Sequence, residues 1–265
     1  MADHKKRADW NPPNLEAPLP PAEGAGACPL EQVLAHAGER AQELVDNLQS
    51  FTAREAIEYA RMDQYGVMNG DDRAYFEYAV GFEQLKNGLK VTEVRAPVNG
   101  GSDLPADFRD TGLPAIALVF HPLYQGDYAM QCEGAAEEQG ERAWVIRFEQ
   151  RKNKRSRTRA FNTDKGAYPA KLKGRAWISA ESGQVMHVET GLMTAIAMLH
   201  LKSDGVRVEY APVKFESKDL TLWLPQTSET YSDFDTYKII VKHEFSHFLL
   251  SSVQIEPKIN EPPRN

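Results

Sequence analysis

The 265-residue sequence predicts an α+β fold in which one long N-terminal helix precedes an antiparallel meander of about ten strands. Three observations carry this reading. One segment alone sustains an apolar spacing of three and four residues over several turns. Some ten shorter runs, spaced about ten residues apart, alternate apolar with polar or concentrate β-branched and aromatic side chains. Helical patterns do not alternate with these runs, which argues against a doubly wound parallel sheet.

The helix is marked by Leu30, Val33, Leu34, Ala37, Ala41, Leu44, Val45 and Leu48, which form a single stripe. Pro29 suits the first helical position, where a missing N–H costs nothing. Extended runs follow at 51–62, 73–83 and 89–96, with turns expected at Asn69-Gly70-Asp71 and Asn87-Gly88. A compact interruption spans 104–122, with a helical turn at Leu104-Pro105 and an apolar helix over Pro114–Phe120 that Pro122 stops. Strand signals resume at 143–148, then at 176–179 and 185–190 around the turn Glu181-Ser182-Gly183-Gln184. Val206, Val208 and Tyr210 alternate with polar neighbours after Asp204-Gly205, and Leu220, Leu222 and Leu224 alternate up to Pro225. Tyr237, Ile239, Val241, Phe245, Leu249, Val253 and Ile255 all fall on odd positions, with Ile240, Phe248 and Leu250 breaking the pattern.

Residues 1–27 read as a disordered Pro-rich tail, because Pro12, Pro13, Pro18, Pro20, Pro21, Gly24 and Gly26 leave little to bury. The β-rich domain is placed at 28–258 and a C-terminal tail with Pro262 and Pro263 at 259–265. A net charge of −7 argues against a chain-wide nucleic-acid surface. No run approaches 18 apolar residues, the length of a helical membrane span. The charged start MADHKKRADW is not followed by the apolar core of a signal peptide. Ala25-Gly26-Ala27-Cys28 has the ending of a lipoprotein signal without its apolar helix. Cys28 and Cys132 are the only cysteines; on composition alone a disulfide and a pair of reduced, partly buried thiols are equally compatible.

His243-Glu244-Phe245-Ser246-His247 is a literal H-E-x-x-H. On a helix the two imidazoles would share one face and grip Zn²⁺, with Glu244 as general base on the bound water. In a strand they would stand roughly 13 Å apart, beyond one ion. The alternation at 237–255 and the Ile239-Ile240-Val241 run favour a strand. A zinc site would also need a third ligand from upstream, at His121, His187 or His200. The expectation is therefore no metal and no cofactor, with a zinc-dependent hydrolase at His243, Glu244 and His247 as the alternative.

Arg151, Lys152, Lys154, Arg155, Arg157 and Arg159 concentrate positive charge in an otherwise acidic chain. No aromatics interleave with them, so the run reads as a solvated loop able to meet an anionic membrane surface rather than nucleic acid. His121, between Phe120 and Pro122, reads as a satisfied histidine at a helix end. Gly-rich phosphate loops, G-x-S-x-G, C-x-x-C and EF-hand loops are absent.

The run 168–178, the Ser182-Gly183 hairpin leading to 185–190, Val208-Glu209-Tyr210-Ala211-Pro212-Val213 and Leu222-Trp223-Leu224-Pro225 resemble the strand pattern of the periplasmic lipoprotein-carrier (LolA/LolB-like) superfamily. Cys28-Pro29-Leu30 and Cys132-Glu133-Gly134 also resemble landmarks of an uncharacterised bacterial secreted family with the same pattern. The resemblance implies a curved antiparallel half-barrel covered by helices that binds or carries a hydrophobic or lipid-linked ligand in the cell envelope without catalysis. It implies export as well, to the periplasm or beyond, by a leader not carried in this sequence, and with export a Cys28–Cys132 disulfide. A cytoplasmic location is the expectation if the sequence is complete.

Overall fold

A computed structural model describes residues 9–19, 27–48, 50–86, 88–98, 112, 115–163 and 166–251. Helix α1 (Leu30–Asn47) is followed by β1 (Ser50–Asp63), β2 (Met68–Leu85) and β3 (Gly88–Pro97). A 3₁₀ helix at Ile116–Phe120 leads directly into the single turn α2 (Pro122–Gln125). Then come β4 (Tyr128–Glu138), β5 (Glu141–Gln150), the short pair β6 (Ala160–Thr163) and β7 (Gly166–Pro169), β8 (Leu172–Ser179) and β9 (Val185–Leu192). The long strands β10 (Leu201–Phe215), β11 (Leu220–Phe234) and β12 (Tyr237–Ser251) complete the order.

Ten strands form one open, curved antiparallel sheet in the order β3-β2-β1-β12-β11-β10-β9-β8-β5-β4, and β6 pairs only with β7. Nearly every neighbour is a chain neighbour. The exceptions are β5 with β8, between which the β6–β7 pair is inserted, and β1 with β12, which joins the first and last strands in mid-sheet from Ser50↔Ser251 to Asp63↔Tyr237. The α+β class and the curved sheet with a long helix are as the sequence predicts.

One face of the sheet carries the core. Helix α1 buries Val33, Ala37, Ala41 and Val45, one residue per turn, together with Gly38. A Cβ at Gly38 would stand 2.9 Å from the Gln125 amide, so the glycine lets α2 press against the helix. All five side chains of Ile116–Phe120 are buried in the same layer as Phe51, Tyr78, Ile146, Phe148, Ile178, Val206 and Val208. Gly174 admits Phe148 to this layer, since a Cβ there would lie 2.4 Å from the ring and from the Glu189 carbonyl.

Several expected features are placed differently. The first hairpin turns at 64–66, where the Asp63 carboxylate accepts from the Tyr65 and Val67 amides at 2.9 Å, and Gly66 takes φ 79°. Asn69-Gly70-Asp71 instead lies inside β2, where the register against β1 shifts between Tyr59 and Arg61. Pro122 starts α2 rather than merely ending the preceding helix, and Pro29 stands just before α1 as its N-cap. Of the segment expected to bury nothing, residues 9–19 run across the face opposite α1. Trp10 packs edge-on against Tyr231 at 5.6 Å, Leu15 is buried, and Arg147 binds the Leu15 carbonyl and the Glu16 carboxylate. Isolated apolar residues fixed by proline suffice to lie on a sheet without any helical or strand period. The remaining tail residues, Leu104-Pro105, Pro114, Asn87, Val253 and Ile255 lie outside the described residues.

Candidate ligand-binding site

Helix α1 is fastened to the rest of the fold at several points. Cys28, two residues before it begins, is disulfide-bonded to Cys132 in β4. Gln125 donates to the carbonyls of Leu34 at 2.7 Å and Phe120 at 2.6 Å, and Arg40 donates to the Ser182 carbonyl at 3.0 Å in the β8–β9 turn. Between these ties the helix and sheet do not close completely. A solvent-open cleft remains, with an apolar floor of Ala41, Leu44, Leu118, Val185, Leu222 and Trp223. Its rim is polar, from Arg40, Glu43, Gln184 and Thr221. Tyr210 also lines it, and burial raises the pKa of its hydroxyl, keeping it neutral. An apolar floor beneath a polar rim suits an amphiphile.

The H-E-x-x-H residues are all on β12, so they lack the helix that a shared zinc would need. His243 is buried on the core face, where Glu55 accepts from its Nδ1 at 2.7 Å. Glu244 points to the other face and binds Arg73 at 2.5 Å. His247 is exposed, with φ 53°, at a bulge where β12 gains one residue on β1 between the Arg54↔Ser246 and Thr52↔Leu249 pairs. The bulge returns Phe248 and Leu250 to the core and turns Leu249 out, 65% exposed, contrary to the odd-position alternation.

The other predicted histidines are dispersed. His121 caps α2, its Nδ1 accepting from the Leu123 amide at 3.2 Å, and burial lowers its pKa. His200 is exposed and paired with Asp235 at 2.9 Å. His187 lies on the face opposite α1, stacked on Trp177. The basic run is less free than its composition implies. Arg159 is buried against Asp204 at 2.8 Å, while Lys154 and Arg157 flank Asp127 at 3.2 and 3.7 Å. Arg151, Lys152, Lys154, Arg155 and Arg157 remain exposed.

Two buried charge clusters were not read from the sequence. Glu55 holds Arg95 bidentately, at 2.6 and 3.0 Å, as well as His243, and Glu93 accepts from Tyr78 at 2.8 Å beside them. The signal was Glu55 itself, an inward position between Phe51, Ala53 and Ile57 in an alternating strand. The second gathers Glu138 and Glu209 around His187.

Several solved structures align with most of the chain at low identity and low TM-score. A Vibrio parahaemolyticus domain assigned to outer membrane lipoprotein sorting aligns over 87% of this chain and 97% of its own, at 12% identity and a TM-score of 0.46. A DUF1329 family protein from Desulfovibrio piger aligns over 88% and 97%, at 10% identity and a TM-score of 0.46. One chain of the MucA/MucB complex of Pseudomonas aeruginosa aligns over 82% of this chain and 99% of its own, at 9% identity and a TM-score of 0.19. No protein-family model and no curated protein matches the chain.

Proposed function

We propose that the protein binds a hydrophobic or lipid-linked ligand between α1 and the sheet, without catalysis, in an oxidising compartment of the cell envelope. The observation that carries this is the cleft at the α1–sheet boundary, apolar below and polar at its rim. An acyl chain entering it would gain about 0.8 kcal/mol per buried CH₂, and its head would meet Arg40 and Glu43. Shifting α1 would lengthen the cleft into the core layer, with the disulfide retaining the start of the helix. The Cys28–Cys132 bond supports the compartment, since such bonds persist outside the reducing cytosol. The exposed cations of 151–157 would hold the protein near anionic headgroups while the ligand transfers.

The test is displacement of a fluorescent fatty acid, cis-parinaric acid, by palmitate from the disulfide-bonded chain. Saturable binding is expected, weakened about tenfold or more by Leu44→Glu, which puts a charge on the cleft floor. Undiminished binding by a folded Leu44→Glu variant, or no binding by the wild type, overturns the proposal. Charge reversal at Arg151, Lys152 and Arg155 is expected to reduce sedimentation with phosphatidylglycerol vesicles without altering parinarate binding. An unchanged vesicle profile would remove the membrane role alone.

A further inference from the structure

On the face opposite α1, β8, β9 and β10 bring Trp177, His187 and Glu209 into one cross-strand row, through the Trp177↔His187 and His187↔Glu209 pairs. The tip of the β4–β5 hairpin folds over this row. Gln139 takes φ 50° there, and its amide donates to the carbonyls of Met186 at 3.3 Å and Tyr210 at 3.1 Å. That attachment brings Glu138 beside His187, within reach of Glu209.

The His187 ring is held parallel to the Trp177 indole, 4.3 Å away and inclined 12°. The residue is only 8% exposed, and neither ring nitrogen has a hydrogen-bond partner. Around it stand carboxylates just beyond bonding distance: Glu138 at 3.6 Å from Nδ1, with Glu209 at 3.7 Å and Glu189 at 3.9 Å from Nε2. Arg207 is committed to Glu189 at 2.9 Å and Glu229 at 3.0 Å. Neither Glu138 nor Glu209 has a Lys or Arg ion pair among the described residues. The cluster thus combines an unpartnered buried imidazole with two carboxylates that lack counter-cations.

We propose that Glu138, His187 and Glu209 form a binding site for a first-row divalent cation, which pins the β4–β5 hairpin tip to β9 and β10. One ligand atom from each of the three lies within 4.8 Å of the others. A tetrahedral Zn²⁺ with bonds near 2.0–2.2 Å would draw them to roughly 3.5 Å, a movement of carboxylate rotamers rather than of strands. One imidazole and two carboxylates are a borderline set suited to zinc and its transition-metal neighbours more than to calcium. The indole fixes the imidazole plane, as an outer-shell group does. This site is independent of the H-E-x-x-H and of the cleft beneath α1.

The probe is Zn²⁺ alone, titrated calorimetrically into the metal-stripped, disulfide-bonded chain, with thermal melting as a second readout. One ion per chain and a higher melting temperature with zinc are expected. His187→Phe, which keeps the stack on Trp177, is expected to abolish both effects. Glu209→Gln and Glu138→Gln should each weaken binding about tenfold or more. His247→Ala should bind like the wild type. Absence of saturable binding, or binding undiminished in the two glutamine variants, overturns the site and leaves His187 as a bridge between carboxylates. Should His187→Phe fail to fold, the glutamine variants decide the matter.

Discussion

His243 and Glu55, 188 positions apart in the chain, meet at 2.7 Å with neither side chain exposed. Arg95 closes the other side of the same carboxylate. The three sit on the core face of β1, β12 and β3 and divide it. On one side lies the large cluster beneath α1; on the other lies a smaller one of Ile57, Tyr59, Ala74, Phe76, Ile239 and Val241. Removing one partner from a charge network buried in this way is costly, because the charge left behind stays buried and uncompensated.

Glu55→Gln is therefore expected to destabilise the fold by about 3–5 kcal/mol, because it leaves the Arg95 charge uncompensated in the interior. Urea unfolding of wild type and variant measures this. A loss under about 1 kcal/mol would show that Arg95 finds equivalent partners.

The same contacts set the acid limit. Burial alone would raise the Glu55 carboxyl, but the hydrogen bond from His243 and the charge of Arg95 outweigh it and hold the pKa low. At Glu229 likewise, burial raises the carboxyl while the Tyr231 hydrogen bond and the Lys242 charge outweigh it and hold the pKa low. A folded pKa below the unfolded value gives stability that is complete above the ordinary carboxylate range near 4.3 and lost as pH falls through the folded values. Melting temperature should ease below about pH 6.5, where unfolding lets the buried His121 take up a proton, and fall more steeply below about pH 4 as these carboxylates protonate. The fall should be shallower in Glu55→Gln, and equal slopes would assign the acid transition to other groups.

Removing the disulfide should be costly because it closes a long loop. For a sequence separation of 104 the chain-entropy argument gives about 4–5 kcal/mol as an upper figure. Cys28→Ala with Cys132→Ala, compared with the oxidised wild type in urea, tests this. Melting curves of the wild type with and without reductant should separate by the same amount. Identical midpoints would mean that Gln125 and Arg40 anchor α1 on their own.

Leu15→Ala tests the N-terminal segment. Its side chain is buried against Gly191, and the flanking Glu16 binds Lys173 at 2.8 Å and Arg147 at 3.0 Å. The expected loss is about 2 kcal/mol, the low end for a buried leucine because one side of the contact is a single chain segment. A loss below about 0.5 kcal/mol would show that the fold does not depend on this strap.

What the sequence displayed clearly was periodicity. Val33, Ala37, Ala41 and Val45 are one face of one helix whatever surrounds them, and the alternation of β10 and of the first half of β12 survives packing unchanged. What it hid was pairing. β4 reads Ala129-Met130-Gln131-Cys132-Glu133-Gly134, with little β propensity, and is a strand because β5 and the disulfide hold it there. The bulge at His247 reverses the faces of β12 through its register with β1, information that resides in residues far along the chain. Trp10 and Leu15 have no period at all; only the Tyr231–Ile240 cluster that Trp10 covers, and Gly191, explain them. The His187 cluster is built from a hairpin tip and two strands, so no spacing in the sequence announces it.

The β1–β12 seam fixes an order of assembly. Until β12 has been synthesised, β1 presents a row of unpaired amides and carbonyls along the middle of the future sheet, and Glu55 lacks His243. The β1–β2–β3 hairpins and the β4–β11 meander can each form early, yet neither yields the ten-stranded sheet. Closure waits for contacts of very long sequence separation, which are slow to form. A chain built this way stays incompletely folded until nearly all of it is available.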